Sequence, residues 1–121
     1  MPEITRVPKP WGEERHWALT DRYVGKLLVI EAGRRLSLQY HERKEESVLV
    51  LEGVLRLHLE DEYGTLTVRD LGPGEAAHVL AGRRHRFEAV ARVVLVEVST
   101  PELDDVIRVE DDFGREGTSA P

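Results

Sequence analysis

"LSLQYHERKEE", residues 36–46, holds the only glutamine of a 121-residue chain that contains no asparagine. At the strand period of two, Ser37, Gln39 and His41 fall on one face and Leu36, Leu38 and Tyr40 on the other. A hydroxyl, an amide and an imidazole in line, backed by an apolar face, call for a packed side and a polar side. Glu46 follows at the start of the next strand-like run. His85 lies beyond "AGRR", after a further turn. Two imidazoles, a carboxylate and an amide oxygen make a mixed nitrogen and oxygen donor set suited to a divalent metal. Spacing alone brings Gln39 and His41 together and leaves Glu46 and His85 open.

Outward from this stretch the chain reads as strands and turns. "YVGKLLVIEAG" runs to a turn at Gly33, and "SVLVLEG" is stopped by Gly53. "VLRLHLED" alternates, with Leu55, Leu57 and Leu59 on one face and Arg56, His58 and Glu60 on the other. Two short strands flank the turn at residues 72–74, and "RVVLVEVSTP" is a last apolar strand. Short strands punctuated by glycine, with no long amphipathic helix, predict an all-β antiparallel sandwich or barrel. The expected organisation is one domain over residues 1–121, with a core of about 23–100. An N-terminal arm (1–22) and a C-terminal segment (101–115) flank it, followed by a disordered tail (116–121).

The net charge of −6 argues against nucleic acid as a partner, and requires any anion site to be built locally. Without cysteine there is no disulfide or thiol chemistry. No apolar run reaches transmembrane length and no signal-peptide core opens the chain, so a soluble, cytoplasmic protein with no membrane partner is expected.

The chain resembles the cupins. Gly33, Gln39, His41, Glu46 and Gly53 follow the spacing of the first cupin motif, and Gly74, Leu80, Gly82 and His85 that of the second. Cupins usually carry histidine at Gln39 and proline at Leu80. "LSLQYH" is similar instead to the cupin domain of type II phosphomannose isomerases, including the C-terminal part of bifunctional mannose-1-phosphate guanylyltransferases. "KPWG" (residues 9–12) and "IRVEDDFGR" (107–115) resemble that family's opening and closing motifs. The resemblance implies a single-domain, antiparallel double-sheet jelly-roll barrel. It also implies one divalent metal held by Gln39, His41, Glu46 and His85: zinc first, with manganese, iron, cobalt or nickel as alternatives. The implied activity is aldose–ketose isomerisation of a sugar phosphate, mannose 6-phosphate to fructose 6-phosphate.

For that chemistry the sequence offers His78 as acid/base, with a metal-bound water as the alternative, and Lys44, Arg83 and Arg84 as phosphate holders. Arg34, Arg35, Arg43 and Arg86 crowd the same region. Their bland reading is a solvated rim paired with Glu42, Glu45 and Glu88. His58 reads as surface, Trp11 and Trp17 as staples for the N-terminal segment, and residues 110–112 as an acidic turn. Arg115 either reaches toward the site or anchors the tail. The chain departs from the family pattern at "KEESV" (residues 44–48), where an Arg-x-Glu-His-Trp run is usual, and lacks a nucleotidyltransferase half. Two other functions stand beside the isomerase: a non-catalytic, metal-containing cupin that binds a sugar phosphate or nucleotide sugar, and a metal-dependent oxygenase. Apolar residues on both faces of a sheet lead to a homodimer as the expected assembly.

Overall fold

The computed structural model describes residues 4–117. Eleven strands form two sheets, and among the described residues there is no helix. They are β1 (Thr5–Lys9), β2 (Gly12–Leu19), β3 (Val24–Ile30), β4 (Leu38–Tyr40), β5 (Glu46–Glu52), β6 (Leu55–Glu60), β7 (Leu66–Leu71), β8 (Ala76–Val79), β9 (His85–Ala89), β10 (Val93–Ser99) and β11 (Ile107–Glu110). One sheet runs β1-β2-β3-β10-β5-β8 and the other β11-β4-β9-β6-β7, with every pairing antiparallel. This is the expected double-sheet jelly roll.

The inward faces divide the interior into two poles. Leu28 on β3, Leu95 on β10 and Val50 on β5 are neighbours across the large sheet, facing Leu57 and Phe87 of the other. All five are buried, and together with Ile30, Leu55 and Val93 they form the apolar pole. One register step along the same strands, Lys26 pairs with Glu97, and Ser99 pairs with Glu46. These four are buried as well, and they make the polar pole. Burial of charge is tolerable only where partners gather, so the functional chemistry collects at this end.

Three features differ from the expected layout. The N-terminal arm is not peripheral: β2 pairs along β3, β1 pairs along β2, and Trp11 is only 2% exposed in the core. "GEERHWAL" conceals this because its side chains pair with one another and with β3 rather than alternating with apolar ones. His16 meets Glu14 at 2.8 Å, and Lys26 meets the same carboxylate at 3.2 Å. Trp17, by contrast, is 42% exposed and lies over Gly25 of β3, where any Cβ would strike its ring. The C-terminal segment likewise contributes β11, and Gly117 N–H bonds back to the Arg108 carbonyl at 2.9 Å. Residues 118–121 of the expected tail lie outside the described residues.

The third difference concerns the opening stretch itself. Arg35 bridges Glu88, and Gln39 pairs with His85. Three residues therefore lie between the partners on the first strand where two lie between those on the second. This is a β-bulge, and it breaks strict alternation. Leu36 consequently lines the same interior cavity as Gln39 and His41 instead of taking the opposite face. Arg86 secures the irregularity, donating to the Leu36 carbonyl at 2.9 Å and the Glu110 carbonyl at 3.2 Å.

Two turn glycines offer a test of the packing. Gly53 (φ +83°) lies directly against the Arg92 carbonyl, whereas Gly33 (φ +77°) has nothing near its missing Cβ. Gly33→Ala is expected to cost only the backbone strain, about 1–3 kcal/mol. Gly53→Ala should cost more, because the β5–β6 turn must also move off β10. Equal losses in urea denaturation would contradict this packing.

Candidate metal centre

Three of the four residues singled out by their spacing meet at the polar pole. His41 follows β4, Glu46 opens β5 and His85 opens β9, and one donor atom from each lies within 4.8 Å of the other two. His85 Nε2 is 3.1 Å and His41 Nε2 3.9 Å from the same oxygen, Glu46 Oε1. The imidazole centroids stand 5.1 Å apart, and the three side chains are 1–3% exposed.

The orientation of the rings is set from behind. His85 Nδ1 faces the Arg83 carbonyl at 2.9 Å, and His41 Nδ1 faces the Asp105 carbonyl. A carbonyl can only accept, so both Nδ1 atoms carry the proton. In the neutral ring each Nε2 then turns a lone pair toward Glu46. Both Nε2 atoms are buried without a hydrogen-bond partner. Two lone pairs and a carboxylate converging on one point form a set of acceptors that a cation satisfies directly. Backbone carbonyls that fix the far nitrogen of each histidine are the usual outer support of a metal-ligating imidazole. The donor set therefore fits a divalent metal.

Asp105 also fastens the loop after His41. Its carboxylate accepts the backbone N–H groups of Glu42, Arg43 and Lys44 at 3.0, 2.7 and 2.9 Å. Gly82 N–H donates to the His41 carbonyl at 2.6 Å, which ties the His41 loop to the turn before His85. Leu80, in the position where cupins usually carry proline, begins that turn; Arg83 N–H closes it on the Leu80 carbonyl at 3.3 Å.

Electrostatics favour an ionised Glu46. Burial alone would raise its pKa, but the hydrogen bond from Glu97, the adjoining His41 and His85 rings and the Lys44 ammonium hold it well below the ordinary carboxylate range. Lys44 Nζ lies 3.5 Å from Glu46 Oε2. Burial works against its charge, yet the carboxyls of Glu97 and Glu46 raise its pKa above normal. Glu97, by contrast, is pushed well above the usual range, first by burial and then by the Glu46 charge. Glu97 therefore carries the proton of this carboxyl pair and donates a hydrogen bond to the Glu46 carboxylate.

The remaining expectations divide. Gln39 lines the cavity and is His85's cross-strand partner; its Oε1 accepts from Ser37 Oγ at 2.6 Å, leaving a second lone pair. Lys44 lines the cavity too, buried as an ion pair with Glu46. His78 does not reach it. It pairs with Ser47, whose Oγ lies 2.7 Å from His78 Nδ1, on the face of β5 opposite to Glu46. The period of two that turns Glu46 inward turns Ser47 and its partner outward. Arg83 and Arg84 are also drawn away, toward Glu60 at the end of β6. Arg84 meets that carboxylate at 2.9 Å, and Arg83 donates to the Glu60 carbonyl at 3.3 Å. Asp111 and Asp112 are held by Arg115 and Arg35, so the expected acidic turn is a pair of ion-paired anchors. Sequence reasoning passed over Lys26 and Glu97, although each is a charge at an inward position of an otherwise apolar strand.

Residues 2–111 match the family described as mannose-6-phosphate isomerase C-terminal. The chain belongs to that family. Mannose-1-phosphate guanylyltransferase ManC of Salmonella typhimurium is 32% identical over 114 residues, covering 90% of this chain and 23% of that protein. The xanthan biosynthesis protein XanB of Xanthomonas campestris pv. campestris is 28% identical over 115 residues, covering 91% of this chain and 24% of that protein. The chain thus spans about a quarter of the length of these curated relatives. Among solved structures, KdgF from Halomonas sp. superposes with a TM-score of 0.70 at 21% identity, covering 83% of this chain and 86% of that one. Oxalate decarboxylase from Bacillus subtilis superposes at 0.77 with 15% identity, covering 88% and 30%. The fold of this chain is that of a cupin.

The carboxyl pair makes stability depend on pH in a defined sense. In the metal-free protein, folded Glu97 keeps a proton that the unfolded chain releases above its ordinary pKa of about 4.3. The folded state then binds more protons, so this group's contribution to stability falls as pH rises above that point. Glu46 acts oppositely: its contribution is present above the ordinary pKa and is lost as pH falls. Glu97→Gln keeps the donor and removes the fall. Its stability relative to the parent protein is expected to grow from pH 5 to pH 8 in urea denaturation, and a difference that stays flat with pH would contradict the assignment.

Proposed function

We propose that this cupin is a metal-dependent aldose–ketose isomerase of a sugar phosphate, with mannose 6-phosphate and fructose 6-phosphate as the substrate pair. The observation that carries the reading is the convergence of two partnerless Nε2 atoms on Glu46 inside a member of the mannose-6-phosphate isomerase C-terminal family. Gln39, beside His85, completes the ligand set through the free lone pair of Oε1. Zinc suits these donors, as do manganese, iron, cobalt and nickel.

A bound divalent ion would polarise the sugar carbonyl and stabilise the negative charge that develops as a proton moves between C1 and C2. The chain's own residues do the rest. His41 and His85 are held at the correct tautomer by Asp105 and Arg83 carbonyls. Lys44 keeps Glu46 ionised. Leu36, Phe87, Leu103 and Val106 on the cavity wall exclude bulk water. The proton carrier belongs on this lining rather than at His78, and Glu97 and Lys44, both against Glu46, are the lining groups beside the triad that hold a proton.

The cavity measures about 60 Å³, room for a few waters. Leu103 and Val106 of the 101–106 segment form part of its wall. The second reading is a metal-loaded cupin that binds a phosphorylated sugar or nucleotide sugar without turnover, and the departure from the family pattern at residues 44–48 favours it. A cytoplasmic setting and a homodimer through the outward apolar side chains Leu49, Leu51 and Val98 are part of the proposal. Among the described residues no helix is long and apolar enough to cross a membrane.

The test is proton NMR of mannose 6-phosphate in D2O with protein reconstituted in turn with zinc, manganese, cobalt and nickel. Fructose 6-phosphate, or deuterium at C2, is expected with at least one metal. Gln39→Ala and His85→Ala should each lower turnover at least about a hundredfold and lose metal with it. Silence with every metal, or full activity in the metal-free double variant, would sink the isomerase reading.

A further inference from the structure

The basic residues that the sequence crowds around the two motifs are mostly engaged elsewhere. Arg34 donates to the Pro10 carbonyl, Arg35 holds Asp112, Arg84 holds Glu60, and Arg86 holds the Leu36 and Glu110 carbonyls. The cations inside the barrel come from other parts of the chain. Its cavity is lined by Lys9 at the end of β1, Lys26 of β3, Lys44, Arg108 of β11, and Arg115. Against these five the same lining offers three carboxyl groups, Glu14, Glu46 and the protonated Glu97, and Asp111 holds Arg115 at 2.7 Å. In a chain of net charge −6 this is a local inversion of sign.

The inversion concentrates away from the metal centre. Lys26 and Lys9 share one carboxylate, Glu14, at 3.2 and 4.0 Å, and that carboxylate also receives His16. The side chains of Lys9 and Lys26 are only 10% and 5% exposed, so water does little to screen them. Burial lowers the Lys9 pKa, and although Glu14 opposes this, the charges of Lys26, Arg115 and Arg108 lower it further. Burial lowers Arg108 as well, with Arg115 the next cause. Buried like charges that depress one another are costly, and an anion set among them relieves that repulsion.

Register fixes where such an anion would lie. Arg108 is the cross-strand partner of Gln39, and Gln39 is the partner of His85. Arg108, Gln39 and His85 thus stand in a row on three adjacent strands, and directly opposed residues on neighbouring strands sit about 5 Å apart. A ligand with an oxyanion at one end and a carbonyl or hydroxyl at the other spans from the cations to the His41–Glu46–His85 point.

We propose that Lys9, Lys26, Arg108 and Arg115 form an anion subsite that takes the phosphate monoester of the ligand whose other end reaches the metal centre. The assignment rests on the reading of this cavity as a sugar-phosphate site, and it replaces Arg83 and Arg84 as the phosphate holders. Four cations suit a dianion with three acceptor oxygens better than a monoanionic carboxylate. Lys9 lies in the "KPWG" stretch and Arg115 in "EDDFGR". The subsite therefore gives both ends of the chain a common task at one pocket.

Calorimetric titration of the metal-loaded full chain with mannose 6-phosphate, mannose, glucuronate and inorganic phosphate tests this. Mannose 6-phosphate is expected to bind at least about tenfold more tightly than mannose or glucuronate, and inorganic phosphate to compete with it. Lys9→Met and Arg108→Met should each weaken mannose 6-phosphate by about ten- to a hundredfold, with metal content unchanged. Arg108→Lys, which keeps the charge, should recover part of the loss and guards against a folding effect. Mannose bound as tightly as its phosphate, or affinity untouched in Lys9→Met, would overturn the subsite. Tight, Lys9-dependent binding without turnover supports the subsite and contradicts the isomerase. Turnover with a KM unmoved in Lys9→Met does the reverse.

Discussion

The structure depends on one electrostatic meeting, the approach of two imidazole lone pairs and an ionised carboxylate inside the barrel. Each contributor is held there by specific neighbours. Backbone carbonyls fix both rings, and Asp105 takes three N–H groups of the loop after His41. Lys44 and Glu97 between them hold Glu46 in its charged form. Removing such a group without its partner leaves buried charge or buried polarity uncompensated, which costs several kcal/mol in typical cores. The arrangement is a donor set that a divalent cation at its centre would satisfy. That is why metal binding, rather than any particular turnover, is the foundation of the account.

Around that point the barrel is asymmetric. Leu28, Leu95, Val50, Leu57 and Phe87 close one pole as an ordinary core, while Lys26, Glu97, Ser99 and Glu46 face inward at the other. The rigid apolar pole fixes the strand register, and the register positions the polar side chains. The bulge between Arg35 and Gln39 adds a local correction, turning both Leu36 and Gln39 toward the cavity. A preorganised interior of this kind holds dipoles and charges in place before a ligand arrives, which is the condition for electrostatic stabilisation of a reacting group.

Much of this was legible in the sequence. The alternation of "VLRLHL" and the glycine-bounded runs gave the all-β architecture, because period two has a direct meaning on a pleated sheet. The Gln-x-His pair, Glu46 and His85 were found through their spacing and the resemblance that this spacing carries. What stayed hidden shares a physical cause. Glu14, His16 and Lys26 compensate one another inside the barrel, so their strands look like solvated flanks when read one at a time. His78 and Arg84 were misjudged because proximity in sequence says nothing about the face of a strand or a rival carboxylate such as Glu60. Lys26 in "VGKLLVI" and Glu97 in "VVLVEVS" were the available signals: a lone charge at an inward position of an apolar strand has to be paired or functional.

The most direct measurement is metal stoichiometry. Chelator-stripped protein would be dialysed against zinc, manganese, cobalt or nickel, and its bound metal determined by atomic emission beside a His41→Ala/His85→Ala double variant. The account expects one metal per chain in the parent protein for at least one ion, and none retained in the variant. A parent protein that holds no more metal than the double variant, with every ion, would contradict it.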